Sequence, residues 1–338
     1  VVSLYVNDFN TRAVRTYLRI GFTVTSQFAT VLYCPAGAIR CRWSGLRGRA
    51  LRSCRADPPE ASAGYCRPTS EPRYGWLGDT NKGLNMADTS IRWGLLGAGG
   101  IAGVFAENLL TEGITVQAVA ARDGAKARAF ADRFDLPTAH EGYAALLADP
   151  EVDAVYVNTT HNFHAEHALL AIEAGKPVLV EKAFTVTAAE ARRVADAARS
   201  AGVFAMEAMW TRFLPSTDFV RARIADGSLG EVRAVITDHS QFLNPDPKGR
   251  LHNPELAGGA LLDLGVYNVS FAVDLLGAPT DIVARGTLTA TGVDAEVSMV
   301  LTHAGAAVSE GHTTMLSAGP SRGLVIGTEG YLELDGAF

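Results

Sequence analysis

The run Ile91-Arg-Trp-Gly-Leu-Leu-Gly97-Ala98-Gly99-Gly100-Ile101-Ala102 constrains this chain more than any other stretch, because an apolar strand passes directly into a glycine turn and then a helix. Such a junction suits the pyrophosphate of a dinucleotide. Gly97 permits the tight turn, and Gly99 lets the backbone approach the phosphates. The small Ala102 lets the new helix pack on the strand, while the N–H groups of its first turn, around Gly100 and Ile101, face the anion. Glycine turns also occur as plain packing devices, so the remaining residues have to carry the assignment.

From Ile91 onward strands and helices alternate with short connections, the pattern of a doubly wound parallel sheet that binds ligands at its carboxyl edge. The second strand, residues 114–121, closes on Arg122-Asp123. An acid first after this strand would hold both adenosine ribose hydroxyls and select NAD, whereas an arginine pairs with a 2′-phosphate and lies over the adenine. Arg122 comes first, so the chain reads as NADP-binding, and Asp123 keeps NAD as the alternative.

Residues 152–158 form a further strand that runs into Thr159, Thr160, His161, Phe163, His164 and His167. Three histidines at intervals of three invite a metal ion, but on a helix the third has rotated too far round to converge with the others. No metal is expected. Thr159, Thr160, His161 and His164 are placed on the nicotinamide side of the cleft, with His167 on the helix surface. The next apolar strand ends in Glu181-Lys182, which sets two opposite charges at the ligand-binding edge. Downstream, residues 258–277 read as a helix that starts at glycines and stops at Gly277, with Asp263 and Tyr267 four apart and therefore on one face. After Gly230 the pattern changes to alternating strands, at residues 231–237 and 295–301 for example, as in an open, mainly antiparallel sheet.

Ninety residues precede this unit. Residues 34–85 hold all four cysteines, with spacings of 7, 13 and 12, and eight arginines, without apolar periodicity. No C-x-x-C pair supports zinc, and interrupting acids with few aromatics argue against a nucleic-acid tail. The stretch 34–88 is therefore expected to be a disordered linker, with residues 34–85 read through from sequence not selected to be protein and Met86 as a natural start. Residues 1–33 read as strand, helix and strand, and Asn10, Ala13, Tyr17 and Gly21-Phe22 resemble the C-terminal end of a GNAT-type N-acetyltransferase; the family's upstream pyrophosphate loop is absent, so this is read as a fragment. The composition, 48% hydrophobic with net charge −6 and no apolar run of 18 residues, makes neither a transmembrane span nor a signal peptide apparent and disfavours nucleic acid as partner. From Met86 onward there is no cysteine, which fits a cytoplasmic enzyme.

Together, Gly97-Ala-Gly99-Gly-Ile-Ala102, Glu181-Lys182, Met206-Glu-Ala-Met-Trp210-Thr-Arg212-Phe213 and Gly258-Gly-Ala-Leu-Leu-Asp263-Leu-Gly-Val-Tyr267 resemble the glucose-fructose oxidoreductase and inositol dehydrogenase (Gfo/Idh/MocA) family, from about residue 91 to 338. Ala183 replaces the proline of the family's Glu-Lys-Pro motif, and Tyr267 replaces its usual histidine. Tyrosine there is similar to the branch of dihydrodiol dehydrogenases, NADP-dependent xylose dehydrogenases and glucose-fructose oxidoreductase. The resemblance implies a Rossmann domain over residues 89–207 and an α+β substrate and oligomerisation domain over 208–338. The family's second sheet continues past Phe338, so the chain reads as truncated at its C-terminus, and the intact relative as a homodimer.

The implied reaction moves hydride between a sugar or cyclic diol hydroxyl and the nicotinamide. An unperturbed tyrosine is a poor base at neutral pH. Tyr267 is nonetheless the expected acid/base, with Lys182 favouring its phenolate and Asp263 orienting Lys182 or the substrate. Trp210 and Arg212 are expected to brace the nicotinamide end, and Arg250, Leu251 and His252 to approach the substrate. The alternatives are an NAD(P)-binding protein without catalysis and an acetyltransferase fusion.

Overall fold

A computed structural model describes residues 41–45, 91–336 and 338. The acetyltransferase-like segment expected at residues 1–33 lies outside the described residues.

Strands β2 (Trp93–Leu96), β3 (Val116–Ala121), β4 (Thr138–Glu141), β5 (Ala154–Val157), β6 (Val178–Val180) and β7 (Ala205–Glu207) form one sheet in the order β4-β3-β2-β5-β6-β7, parallel throughout. They alternate with helices α1 (Gly100–Thr111), α2 (Gly124–Phe134), α3 (Tyr143–Leu147), α4 (His164–Glu173) and α5 (Ala188–Ala201). The central strands β2, β3 and β5 are apolar on both faces because both are covered, as a parallel sheet requires, whereas the edge strand β4 is polar and only partly covered. Leu95, Val119 and Tyr156 pack on one side, and their neighbours Leu96, Ala120 and Val157 on the other. The chain leaves β2 for β3 on one flank and returns to β5 on the opposite one, so a crevice opens at the carboxyl ends of β2 and β5.

The second sheet has the order β1-β13-β12-β8-β11-β10-β9, where β1 is Cys41–Gly45, β8 Val232–Ser240, β9 Asp281–Leu288, β10 Asp294–Thr302, β11 Val308–Thr314, β12 Arg322–Gly327 and β13 Gly330–Asp335. Every neighbouring pair is antiparallel except β8 and β11. Helices α6 (Pro215–Ala225) and α7 (Val266–Leu276) belong to this half. Tyr267 and Phe271 of α7 pack with Val325, Leu332, Leu334 and Phe338 into its core.

Two features were not expected from the sequence. Within the stretch expected to be a linker, Cys41–Gly45 is a strand, in antiparallel register with β13 from Cys41 opposite Leu334 to Gly45 opposite Gly330. An edge strand offers unpaired N–H and C=O groups to any extended segment in reach, and apolar periodicity is not required to satisfy them. In addition, Pro254–Leu276 is long and apolar enough to cross a membrane by composition, although the linear sequence has no uninterrupted apolar run of that length. Half of its most apolar window is buried within the protein, and it includes core residues Tyr267, Phe271 and Ala272, which accounts for the hydropathy.

Candidate active site

The crevice holds a cavity of about 650 Å³ that runs from the glycine turn to the Glu181-Lys182 strand end and on to Arg250 and Asp263 of the second half. At the turn, Gly97 has φ +122°, and a Cβ there would lie 2.5 Å from Asn158 Oδ1. A Cβ on Gly99 or Gly100 would meet nothing within 4 Å, so the backbone is bare toward the cavity. Helix α1 begins at Gly99 with no side-chain cap and no acid in its first turn, which leaves its N–H groups available to an anion. Gly97, Gly99, Gly100 and Ile101 line the cavity. Ala102 does not reach it, being fully buried in the helix–strand contact that its small size permits.

Arg122 and Lys126 stand on the cavity wall, with the Arg122 guanidinium 5.8 Å from the Phe163 ring centre. Asp123 is engaged as the N-cap of α2, its Oδ1 accepting from the N–H groups of Ala125 (2.9 Å) and Lys126 (3.4 Å). Asn158, Tyr143, Phe163 and His167 also line this end, and sequence reasoning passed over all four as ligand contacts. Asn158 and its buried, unpartnered Oδ1 follow directly on β5, a position that could have signalled it.

Thr159, Thr160, His161 and His164 all reach the cavity, yet the histidines differ from expectation. His164 is 0% exposed, with Nδ1 2.8 Å from the Ala183 carbonyl and Nε2 3.1 Å from that of Thr159. Burial brings its pKa down to about 4, so the ring is neutral and donates to only one of the two. It braces the loop after Lys182 rather than offering a nitrogen to a ligand. His167 is buried too, stacked on Phe163 and bonded to Thr159 Oγ1 at 2.9 Å, not on the helix surface. His161 holds the Ala257 carbonyl through Nδ1 at 3.1 Å, which ties the two halves together. Burial lowers its pKa as well.

At the far end, Tyr156 donates its hydroxyl to Glu181 Oε1, and the Lys182 N–H donates to Oε2 at 3.0 Å. Burial raises the Glu181 pKa. The Lys182–Ala183 peptide bond is cis. Lys182 Nζ donates to the Asp263 carbonyl oxygen at 2.7 Å and to its Oδ1 at 3.3 Å, and lies 5.1 Å from the Tyr267 ring centre. Arg250 Nη2 donates to the same Oδ1 at 3.0 Å. Burial would lift the Asp263 carboxyl, but Lys182 and Arg250 outweigh it and hold the pKa below the ordinary carboxylate value. For Lys182, burial pulls down while Tyr267, Asp263 and Glu181 pull up, and the ammonium wins.

Tyr267 is where the structure departs most from the sequence reading. It is 6% exposed, it is absent from the cavity wall, and its hydroxyl accepts from Trp210 Nε1 at 3.1 Å. Residues Leu261–Gly265 form a π-helical turn that leads into α7 just before Tyr267. Asp263 points to the cavity and Tyr267 to the core, against His239. Burial raises the phenol pKa, which Lys182 and the Trp210 N–H offset only in part, so the phenol keeps its proton rather than resting as phenolate.

Neither Trp210 nor Arg212 lines the cavity. Arg212 pairs instead with Asp274, which also takes Arg221 Nε at 2.9 Å. The reason is local: Arg212 sits in a 3₁₀ turn beside α6, facing the largely covered carboxylate of Asp274 on α7. Of the loop residues expected near substrate, Arg250 lines the cavity, Leu251 packs against an apolar cluster and His252 is buried. Among the described residues no group of three metal-ligating side chains converges.

A bare glycine cradle, an uncapped helix N-terminus and a cationic wall fit a dinucleotide, and the comparisons with known proteins agree. An oxidoreductase family described as having an NAD-binding Rossmann fold (GFO_IDH_MocA) matches residues 91–209, and its C-terminal domain matches residues 218–333. The chain belongs to the Gfo/Idh/MocA oxidoreductase family. It is 38% identical over 250 residues to the trans-1,2-dihydrobenzene-1,2-diol dehydrogenase of Mus musculus, covering 72% of this chain and 74% of that one. Among solved structures, it is similar to KijD10, a 3-ketoreductase from Actinomadura kijaniata in complex with NADP and TDP-benzene (31% identity, TM-score 0.66, 72% and 76% of the two chains). It is also similar to an aldose-aldose oxidoreductase from Caulobacter crescentus (26% identity, TM-score 0.68, 73% and 77%). As a member of this family the chain is an oxidoreductase that binds a nicotinamide dinucleotide. Neither family match reaches residues 1–33, and the acetyltransferase resemblance has no support from these comparisons.

Proposed function

We propose that this protein is an NADP-dependent dehydrogenase acting on a hydroxyl of a sugar or cyclic diol, or on the corresponding carbonyl. The observation that carries this reading is the single cavity, which joins the glycine cradle at one end to the Lys182–Asp263–Arg250 cluster at the other. The dinucleotide, when bound, supplies the hydride acceptor or donor. Gly97, Gly99, Gly100 and the first N–H groups of α1 would hold its pyrophosphate, with Asn158, Thr159, Thr160 and His161 along the cavity beyond. Arg122 and Lys126 would meet a 2′-phosphate; Asp123, its Oδ1 taken up by the cap of α2, is poorly placed to compete for ribose hydroxyls.

Lys182 faces the cavity and Tyr267 does not, so the lysine is the group that meets the reacting oxygen, and the phenol behind it is its proton partner. In the reducing direction Lys182 donates a hydrogen bond to the carbonyl oxygen, and a proton lost to the nascent alkoxide is replaced from Tyr267. A phenol that accepts from Trp210 keeps its own proton free to give. In the oxidising direction the proton returns, and the Lys182 ammonium and the Trp210 N–H stabilise the phenolate. Asp263 holds the lysine at the cavity edge. Relatives named for a diol, a ketone and aldoses support the substrate range.

The test is turnover with a panel of aldoses and cyclic diols. Tyr267→Phe should keep NADPH binding and lower kcat by about 10²–10⁴, the usual range for a positioned acid/base. Lys182→Ala should be at least as damaging, and the double variant far from additive because the two act as a unit. Normal turnover by Tyr267→Phe would move the proton chemistry to His161. For cofactor choice, Arg122→Ala should lose about 1.5–3 kcal/mol of NADPH binding and little NADH binding in fluorescence titrations, since a charge-assisted pair disappears. Preference for NADH in the unaltered protein would overturn the NADP assignment.

A further inference from the structure

We infer that Arg250 is a positioning residue for Lys182, acting through the carboxylate of Asp263; the inference rests on the reading of Lys182 given above. One oxygen, Asp263 Oδ1, accepts from both Lys182 Nζ at 3.3 Å and Arg250 Nη2 at 3.0 Å. The three side chains come from three elements: the end of β6, the 3₁₀ turn Arg250–His252 and the π-helical turn Leu261–Gly265. The Lys182 and Asp263 side chains are only 17% and 11% exposed, while Arg250, 39% exposed, closes the cluster from the solvent side. The shorter bond to Oδ1 belongs to Arg250, and the shorter bond of Lys182 goes to the Asp263 backbone carbonyl at 2.7 Å.

That division has a chemical consequence. A carboxylate shared with a guanidinium offers the ammonium only part of its charge, and Arg250 itself repels the ammonium. Both effects keep Lys182 from collapsing into a closed pair with Asp263, so its one remaining N–H stays turned to the cavity. Without Arg250, Oδ1 would be left to Lys182 alone. The ammonium would be held more tightly and would give up its proton less readily. The sign is fixed: loss of a neighbouring cation raises the pKa of a lysine.

Acetylation of the lysines by acetic anhydride at pH 9, read peptide by peptide in a mass spectrometer, measures this without turnover, because only the neutral amine reacts. The exposed Lys126 serves as the internal reference. Arg250→Met should slow acetylation of Lys182 relative to Lys126 by about tenfold, the change that one pKa unit makes. Arg250→Lys should restore most of the original rate. In parallel, Arg250→Met should lower kcat with the NADPH Kd unchanged and move the alkaline limb of the kcat/KM profile to higher pH. An unchanged or faster Lys182 reaction in Arg250→Met, or in Arg250→Gln if the methionine variant fails to fold, would overturn the inference. If the unaltered protein turned over no sugar or diol, the dehydrogenase reading would fall, while the labelling would still decide the role of Arg250.

Discussion

Asp274 collects two guanidiniums, Arg212 from the 3₁₀ turn and Arg221 from α6, and its own side chain is only 9% exposed. A carboxylate so placed is costly to bury alone and costly to remove, because either change leaves uncompensated charge away from water. Asp274→Ala should therefore cost about 3–5 kcal/mol in denaturant unfolding, as expected for removing one partner of a buried pair. Arg212→Ala should also lower stability, by less because Arg221 still pairs with Asp274, and should leave the NADPH Kd unchanged. A large loss of NADPH affinity with unchanged stability would restore the cofactor role that the sequence suggested for Arg212. The sequence misled here for a definite reason. An arginine just past the last Rossmann strand looks available to a ligand, and its acidic partner lies 62 residues downstream, out of reach of any local pattern.

At the scale of elements, the strand-turn-helix junction was legible because its physics is local. Gly97 and Gly99 do different work. Gly97 has a backbone conformation that L side chains rarely adopt, and an added methyl would press on Asn158, whereas a methyl on Gly99 would enter only the cavity. Gly97→Ala should therefore lower the melting temperature by several degrees, and Gly99→Ala should leave it unchanged while weakening NADPH binding; equal effects of the two on stability would contradict this division. The parallel order of the first sheet and the antiparallel bias of the second were also readable, from strand-helix alternation in one and period-two patterning in the other. The π-helical turn that carries Asp263 was not. A π-helical turn changes the register by a fraction of a turn without a compositional mark, and the run Leu261-Leu-Asp-Leu-Gly265 scans as ordinary helix. Likewise, nothing about His167 announces that it stacks on Phe163 and meets Tyr143 edge-on.

For the molecule as a whole, the two sheets divide the labour: the parallel sheet carries the cradle, the second half carries Asp263 and Arg250, and His161 crosses between them to Ala257. Strand β1 belongs to neither task, yet it covers the outer edge of β13 along five residue pairs. Removing residues 1–85 thus has two separable consequences. The cradle, the Arg122 wall and the Lys182 cluster all lie beyond residue 90, so NADPH affinity should be unchanged. The β13 edge, by contrast, would present its unpaired backbone groups to any other extended segment, including a second copy of the same edge. A chain beginning at Met86 should accordingly bind NADPH as before but self-associate more strongly in sedimentation velocity as concentration rises. Replacing Trp43 by proline in the full-length chain should produce the same change, because proline cannot donate to the ladder and breaks the pairing at its centre, where residue 43 lies opposite Leu332. Should both proteins sediment as the unaltered chain does, β1 contributes nothing to the edge, and the stretch behaves as the linker that its composition suggests.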